Sequence, residues 1–128
     1  MPSDRTVFVV TGSSAGVGAA TVLELARRGS AVVVNCTKSA AEAEEIAQRC
    51  GAAGGEALVV KGDVSRDADC RRIAAAALDR WGRIDRLVNN AGTTRFASMR
   101  KLDALDAADF QRIYAVNTIG AFQMIRAC

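Results

Sequence analysis

Four short segments and one helix position carry the residues whose types and spacing could do chemistry. The first is Thr11-Gly12-Ser13-Ser14-Ala15-Gly16-Val17-Gly18, directly after the apolar run Thr6–Val10 and directly before a helical pattern. Glycines remove Cβ atoms, so the backbone can turn sharply and approach a ligand. The N–H groups and dipole of the following helix then face an anion, and phosphate suits that arrangement. A lone glycine turn is a weak signal, because Gly12, Gly16 and Gly18 could instead serve tight packing of helix on strand. Its place between a strand and a helix raises the nucleotide reading above that alternative. Ser13 and Ser14 add hydroxyls that could reach phosphate oxygens. No G-K-[ST] follows the glycines, so a P-loop lysine is missing.

The second segment is Val34-Asn35-Cys36-Thr37-Lys38-Ser39. An acidic residue at the end of a second strand would bond the ribose 2′-hydroxyl of NAD. None stands here; Thr37, Lys38 and Ser39 offer hydroxyls and a cation, which suits a 2′-phosphate. The plainer alternative is that Lys38 and Ser39 only open the next helix. In Gly62-Asp63-Val64, Asp63 could accept from an adenine amino group or could equally serve as a turn or cap aspartate. Asn89-Asn90-Ala91-Gly92 suits a polar turn against a flat ligand, or a generic asparagine turn. Asn117 lies seven residues from both Phe110 and Met124, on the apolar stripe of the last helical pattern. A buried amide there needs partners, so it either caps a neighbouring backbone group or holds a water. Tyr114, on the same face, reads as core or interface, because position 118 is Thr and not a lysine.

The elements that must position these residues alternate. Val-rich strands are expected at Thr6–Thr11, Ala31–Asn35, Glu56–Lys61 and Arg86–Asn89; they lack strict apolar–polar alternation, as strands covered on both faces do. Helices are expected at Val17–Arg28, Ala40–Arg49, Asp67–Trp81 and Ala107–Cys128, with Gly29 and Gly82 as C-terminal stops. Ser65 or Asp67 is the expected cap of the third helix and Asp106 that of the fourth. Strand–helix alternation implies a parallel sheet with right-handed crossovers, an open doubly wound α/β fold. Ligands of such sheets bind beyond the carboxyl ends of the strands, where all four polar segments fall.

Composition narrows the classes. At 128 residues the chain is one domain at most. A net charge of +3 with scattered arginines argues against a nucleic-acid partner. No apolar run reaches membrane-spanning length, so no membrane partner is expected. The absence of histidine removes the commonest general base and metal ligand. Cys36, Cys50, Cys70 and Cys128 show no C-x-x-C spacing, which gives neither a zinc site nor a redox pair. With no signal-peptide pattern at the N-terminus, reduced thiols in a cytoplasmic protein are expected.

Taken together, Thr11–Gly18, Asp63-Val64, Asn89-Asn90-Ala91-Gly92 and Asn117 resemble, in order and spacing, the N-terminal half of the short-chain dehydrogenase/reductase family. The resemblance covers essentially the whole chain and is nearest to reductases of the 3-oxoacyl carrier-protein and sugar-dehydrogenase type. It implies a Rossmann fold of about four strands and four helices over residues 1–128. It implies NADP(H), favoured over NAD(H), and a small carbonyl or alcohol substrate. Gly12, Ser14, Ala15, Gly16, Val17 and Gly18 would line the adenosine ribose and pyrophosphate, and Thr37 and Lys38 would flank the 2′-phosphate. Asp63 and Val64 would hold adenine, while Asn90, Ala91 and Gly92 would back the ribose. Asn117 would be the asparagine of the catalytic tetrad, and the last helix, with Phe122 and Met124, would join a homodimer or homotetramer.

Two departures stand out. Ala15 occupies a position where many NADP-preferring members carry a basic residue. The family's catalytic Ser and Tyr-x-x-x-Lys lie beyond its fourth helix and are not among these residues. The chain therefore reads as the incomplete front half of such an enzyme; the alternative is a truncated, non-catalytic nucleotide-binding or interaction module.

Overall fold

A computed structural model describes residues 3–128. Four strands form one parallel sheet: β1 (Val7–Val10), β2 (Ala31–Cys36), β3 (Glu56–Lys61) and β4 (Arg86–Val88), in the order β3-β2-β1-β4. Val10 pairs with Val34 on one side and Val88 on the other, and Cys36 pairs with Lys61. Apolar residues alternate between two covered faces. Val10, Val32 and Val34 pack with Val22, Ala26 and Ile46 from α1 (Gly16–Arg27) and α2 (Ala40–Ala52). Val7, Val9, Val33 and Val60 pack with Ile73, Ala77 and Trp81 from α3 (Asp67–Trp81) and with Met124. This two-sided burial is why the strands read as continuous apolar runs.

The helix ends follow local chemistry. Gly29 (φ 83°) and Gly82 (φ 73°) take left-handed backbone after α1 and at the end of α3, as the sequence leads one to expect. Asp106 caps α4 (Ala107–Tyr114) in a full capping box with Asp109. For α3 the expectation fails. Neither Ser65 nor Asp67 caps it; Arg66 stands at the cap position, and Asp69 reaches back to accept the Asp63 N–H at 2.9 Å.

The last helix also differs from the single rod expected over Ala107–Cys128. It runs as α4, a π-helical stretch (Ala115–Gly120) and α5 (Ala121–Ala127). The wider i→i+5 turns shift the register, so one heptad spacing no longer keeps one face. Met124 is fully buried while Phe110 is 66% exposed and Asn117 is exposed. Gly120 permits close passage here, since a Cβ on it would lie 2.7 Å from Val64 Cγ2.

At the opposite end of the sheet, Asp85 clamps β1 to the segment entering β4. Its Oδ2 accepts the Val7 N–H at 2.8 Å, its own N–H donates to Val7 O at 2.9 Å, and Arg83 donates to both carboxylate oxygens. Arg83, and then the Val7 N–H, hold the Asp85 carboxyl below its ordinary range. The Asp63 N–H does the same for Asp69, and the Asp106 N–H for Asp109. A carboxylate depressed on folding contributes stability that is present above its unfolded value, about pH 4, and is lost as pH falls through the folded value. The urea midpoint is therefore expected to fall with acidification below about pH 4. Asp85→Asn should flatten that acid limb; an unchanged limb would remove the clamp from the account.

Candidate functional site

The site lies where the topology divides. From β1 the chain crosses to β2 and β3 on one side, then returns past β1 to β4 on the other. Loops leaving β1 and β4 diverge, and a crevice opens between them. A cavity of about 480 Å³ lies there, lined by Gly12, Thr37, Lys38, Asp63, Val64, Asn90, Ala91 and Gly92 among the expected residues, and by Ser65, Thr93, Arg112, Ala115 and Val116 besides. Ser14, Ala15, Gly16, Val17 and Gly18 do not line it; Ala15, Gly16 and Val17 are exposed, Ser14 is half-buried and Gly18 is buried.

The glycine turn divides its labour. Gly12 has φ 62°, and a Cβ on it would lie 2.9 Å from Ala91 Cα. Gly18 is buried, and a Cβ there would lie 2.5 Å from Asn90 Nδ2 and from Gly12 O. For these two the close-packing alternative is what the structure displays. Gly16 differs: it has φ 58°, and nothing lies within 4 Å of its Cβ position. There the missing side chain leaves open space above the first turn of α1, whose N-cap, Ala15, supplies no side-chain bond.

Two polar residues hold this turn in place, and sequence reasoning gave neither that role. Asn35 is 1% exposed. Its Oδ1 accepts the Gly12 N–H at 2.9 Å, and its Nδ2 donates to Val60 O at 3.0 Å and Gly62 O at 3.3 Å. Ser13, expected to offer its hydroxyl to phosphate, is fully buried instead; its Oγ donates to Val10 O at 2.7 Å and accepts the Asn35 N–H at 2.8 Å. A hydroxyl so committed has no path to a ligand. The only signal in the sequence was a polar pair at the ends of adjacent Val-rich strands.

The other wall is built similarly. Thr11 Oγ1 accepts the N–H groups of Asn90 (3.1 Å) and Ala91 (3.0 Å). The Asn90 side-chain amide donates to Thr11 O at 3.0 Å and Gly12 O at 2.9 Å. Asp63 Oδ1 accepts from the N–H and hydroxyl of Ser65, at 2.9 and 2.7 Å, so the turn alternative describes that oxygen. Val64 is buried, and its carbonyl accepts from Gln123 Nε2 at 2.7 Å. Thr37 and Lys38 are exposed on the rim. Cys36 behind them is buried, and burial pushes its thiol up, so it is no reactive neighbour.

Asn117 was expected on a buried stripe; it is exposed, because the π-helical stretch turns it toward the loop after β4. Its Oδ1 accepts the Thr93 N–H at 2.7 Å and its Nδ2 donates to Thr93 O at 2.9 Å, which is the backbone-capping alternative. Arg112 strengthens the same strap, donating to Thr93 Oγ1 at 2.8 Å and Thr94 O at 3.3 Å. Met124, expected in an interface, belongs to the core, whereas Phe122 is exposed under the Arg126 guanidinium. Among the described residues no group of three or more His, Cys, Asp or Glu could hold a metal, and no helix is long and apolar enough to cross a membrane.

The short chain dehydrogenase family model matches residues 6–128. The chain belongs to that family. It is 40% identical over 121 residues to an uncharacterized oxidoreductase of Methylorubrum extorquens, covering 94% of this chain and 48% of that one. It is 37% identical over 121 residues to a 3-oxoacyl-[acyl-carrier-protein] reductase of Synechocystis, again covering 94% and 48%. A crystal structure of a Burkholderia xenovorans protein assigned to the short-chain dehydrogenase/reductases superposes with a TM-score of 0.93 at 41% identity, over 98% of this chain and 51% of that one. The NADH-dependent reductase A1-R′ complexed with NAD superposes with a TM-score of 0.86 at 31% identity, over 96% and 50%. The chain thus spans about half the length of these relatives.

The Asn35 network gives a direct test. Asn35→Ala leaves the half-buried Gly12 N–H and the buried Val60 and Gly62 carbonyls without their side-chain partner. At about 1–3 kcal/mol for each orphaned group, the expected loss is about 3 kcal/mol by urea titration. A loss under about 1 kcal/mol would mean that water enters and the network is not what fixes the turn.

Proposed function

We propose that this chain is the cofactor-binding half of an NADP(H)-dependent carbonyl reductase or alcohol dehydrogenase. The observation that carries this reading is the convergence of Gly12, Thr37-Lys38, Asp63-Val64 and Asn90-Ala91-Gly92 on one crevice, at the division of a parallel sheet. The residues present fit a dinucleotide. Open space at the Gly16 Cβ position and the uncapped N-terminus of α1 suit a pyrophosphate. Ser14, Ala15 and Val17, at the start of α1, would flank it, and Gly12 and Gly18 keep the turn close to the sheet. Lys38 and Thr37 would take the 2′-phosphate, where an acidic residue would repel it. Asp63 and Val64 would bound the adenine, and Ala91 and Gly92 would back the ribose.

A bound nicotinamide would supply or accept the hydride exchanged with a carbonyl carbon, without a metal. This chain's own part is binding and orientation. Thr11 and Asn90 fix the wall, and Asn117 holds Thr93 against it. We assign Asn117 the tetrad asparagine's place, where it would position a water in the proton relay. The substrate is a small ketone, aldehyde or alcohol; similarity to a 3-oxoacyl-[acyl-carrier-protein] reductase favours a 3-oxoacyl thioester for the first assay. The exposed Phe110, Tyr114, Phe122 and Ile125 support a homodimer or homotetramer joined through the last helix.

The test is cofactor discrimination. Lys38→Asp is expected to weaken NADPH binding at least about tenfold by exchanging attraction for repulsion at a phosphate, with NADH changed far less. Titration of nicotinamide fluorescence reads both. Equal loss for the two cofactors would take Lys38 out of the site. Absence of NADPH- or NADH-dependent turnover by the natural gene product on a ketone, aldehyde and alcohol panel would overturn the function.

A further inference from the structure

Beside the main crevice lies a second recess of about 530 Å³, lined by Thr37, Lys38, Lys61, Gly62, Asp63, Arg66, Asp69 and Arg72. It shares Thr37, Lys38 and Asp63 with the first, so the two are continuous where β2 and β3 end. Its charges are unequal. Both carboxylates are already engaged: Asp69 accepts the Asp63 N–H on one oxygen and pairs with Arg72 at 3.3 Å on the other, and Asp63 accepts from Ser65. Lys38, Lys61 and Arg66 have no carboxylate within ion-pair distance among the described residues.

Three unpaired cations thus come from three separate elements: the loop after β2, the last residue of β3, and the cap of α3. Cations dispersed on a surface minimise repulsion by pointing apart into solvent. Here they border one concavity, beside the first turn of α3. The glycine turn, by contrast, offers no cation, since none of residues 11–18 is basic.

We infer that Lys61 and Arg66 read the phosphorylation state of the adenosine ribose, forming with Lys38 a three-cation receptor for the 2′-phosphate in place of a basic residue in the glycine turn. This rests on the dinucleotide reading above and adds the residues that set cofactor choice. Arg66, with its planar fork, can donate two parallel bonds to a phosphate; Lys61 contributes a point charge. A dianionic phosphate would bring the recess close to neutrality.

The experiment is calorimetric titration of this chain with NADP⁺ and NAD⁺, repeated on Lys61→Ala, Arg66→Ala, the double variant and Arg66→Lys. Lys61 and Arg66 are exposed, and far-UV circular dichroism checks that each variant folds. The double variant is expected to lose at least about tenfold in NADP⁺ affinity, the scale of one or more charge-assisted phosphate contacts, with NAD⁺ within about twofold. Arg66→Lys should recover part of the Arg66→Ala loss, and raising salt should narrow the NADP⁺ advantage. Unchanged NADP⁺ affinity in the double variant, or equal losses for both cofactors, overturns the inference. Equal affinity of the unaltered chain for NADP⁺ and NAD⁺ overturns it while leaving the dinucleotide site standing. Binding of neither cofactor by the unaltered chain overturns both.

Discussion

A single buried amide ties the site to the sheet. Asn35 sits at the end of β2, between the strand that leads into the glycine turn and the strand that leads to Asp63. A turn with φ near 60° at both Gly12 and Gly16 has few intrinsic reasons to keep one shape. Its donors and acceptors must be answered by something rigid, and a parallel strand interior is the most rigid thing nearby. Asn35 answers Gly12 on one side and the β3 end on the other, and Ser13 closes the ring by bonding the Asn35 backbone. In a low-dielectric interior such bonds are strong when all are made and costly when one is missing. The turn is therefore ordered before any ligand arrives.

The second wall repeats the device with different residues. Thr11 and Asn90 exchange bonds across the gap between β1 and β4, which would otherwise splay because the chain leaves the two strands in opposite directions. Thr93 is then gripped from the far side by Asn117 and Arg112. The crevice is thus framed by backbone held by side chains, and its surface is left to exposed groups such as Lys38 and to the open N-terminus of α1. Rigid frame and solvated lip are the division of labour expected of a preformed ligand site.

Much of this was legible in the residues. The Val-rich runs, the glycine stops after α1 and α3 and the Asp106 cap are local signals, and each follows from short-range sterics or capping. The parallel sheet and the placing of the polar segments beyond its strand ends follow from alternation and handedness, so Thr37, Lys38, Asp63 and Asn90-Ala91-Gly92 meet at one crevice; the order β3-β2-β1-β4 depends on long-range pairing that neither rule fixes. The roles of Asn35 and Ser13 were hidden because they depend on which backbone atoms the register brings beside them, a long-range fact. A serine in a glycine turn looks the same in sequence whether it faces phosphate or Val10 O. The cap of α3 failed for a related reason: Asp69 satisfies the loop from inside the helix, which no cap rule written on the preceding residue anticipates. Phe110 and Asn117 fall off the core stripe because the 3.6-residue period does not hold across residues 107–128.

That broken period has a geometric consequence. The two ends of the last helical segment serve different masters: residue 117 must meet Thr93, and residue 124 must fill the core under β1 and α3. A uniform rod offers one angular setting, and at a spacing of seven residues it would aim both side chains nearly the same way. The wide turns over Ala115–Gly120 insert a phase offset, so each end takes its own orientation. Anything that tightened this stretch to ordinary pitch would rotate one end against the other by about 100° for each residue of slip. The segment works as a phase shifter, letting one continuous helical run present Asn117 to Thr93 and Met124 to the core.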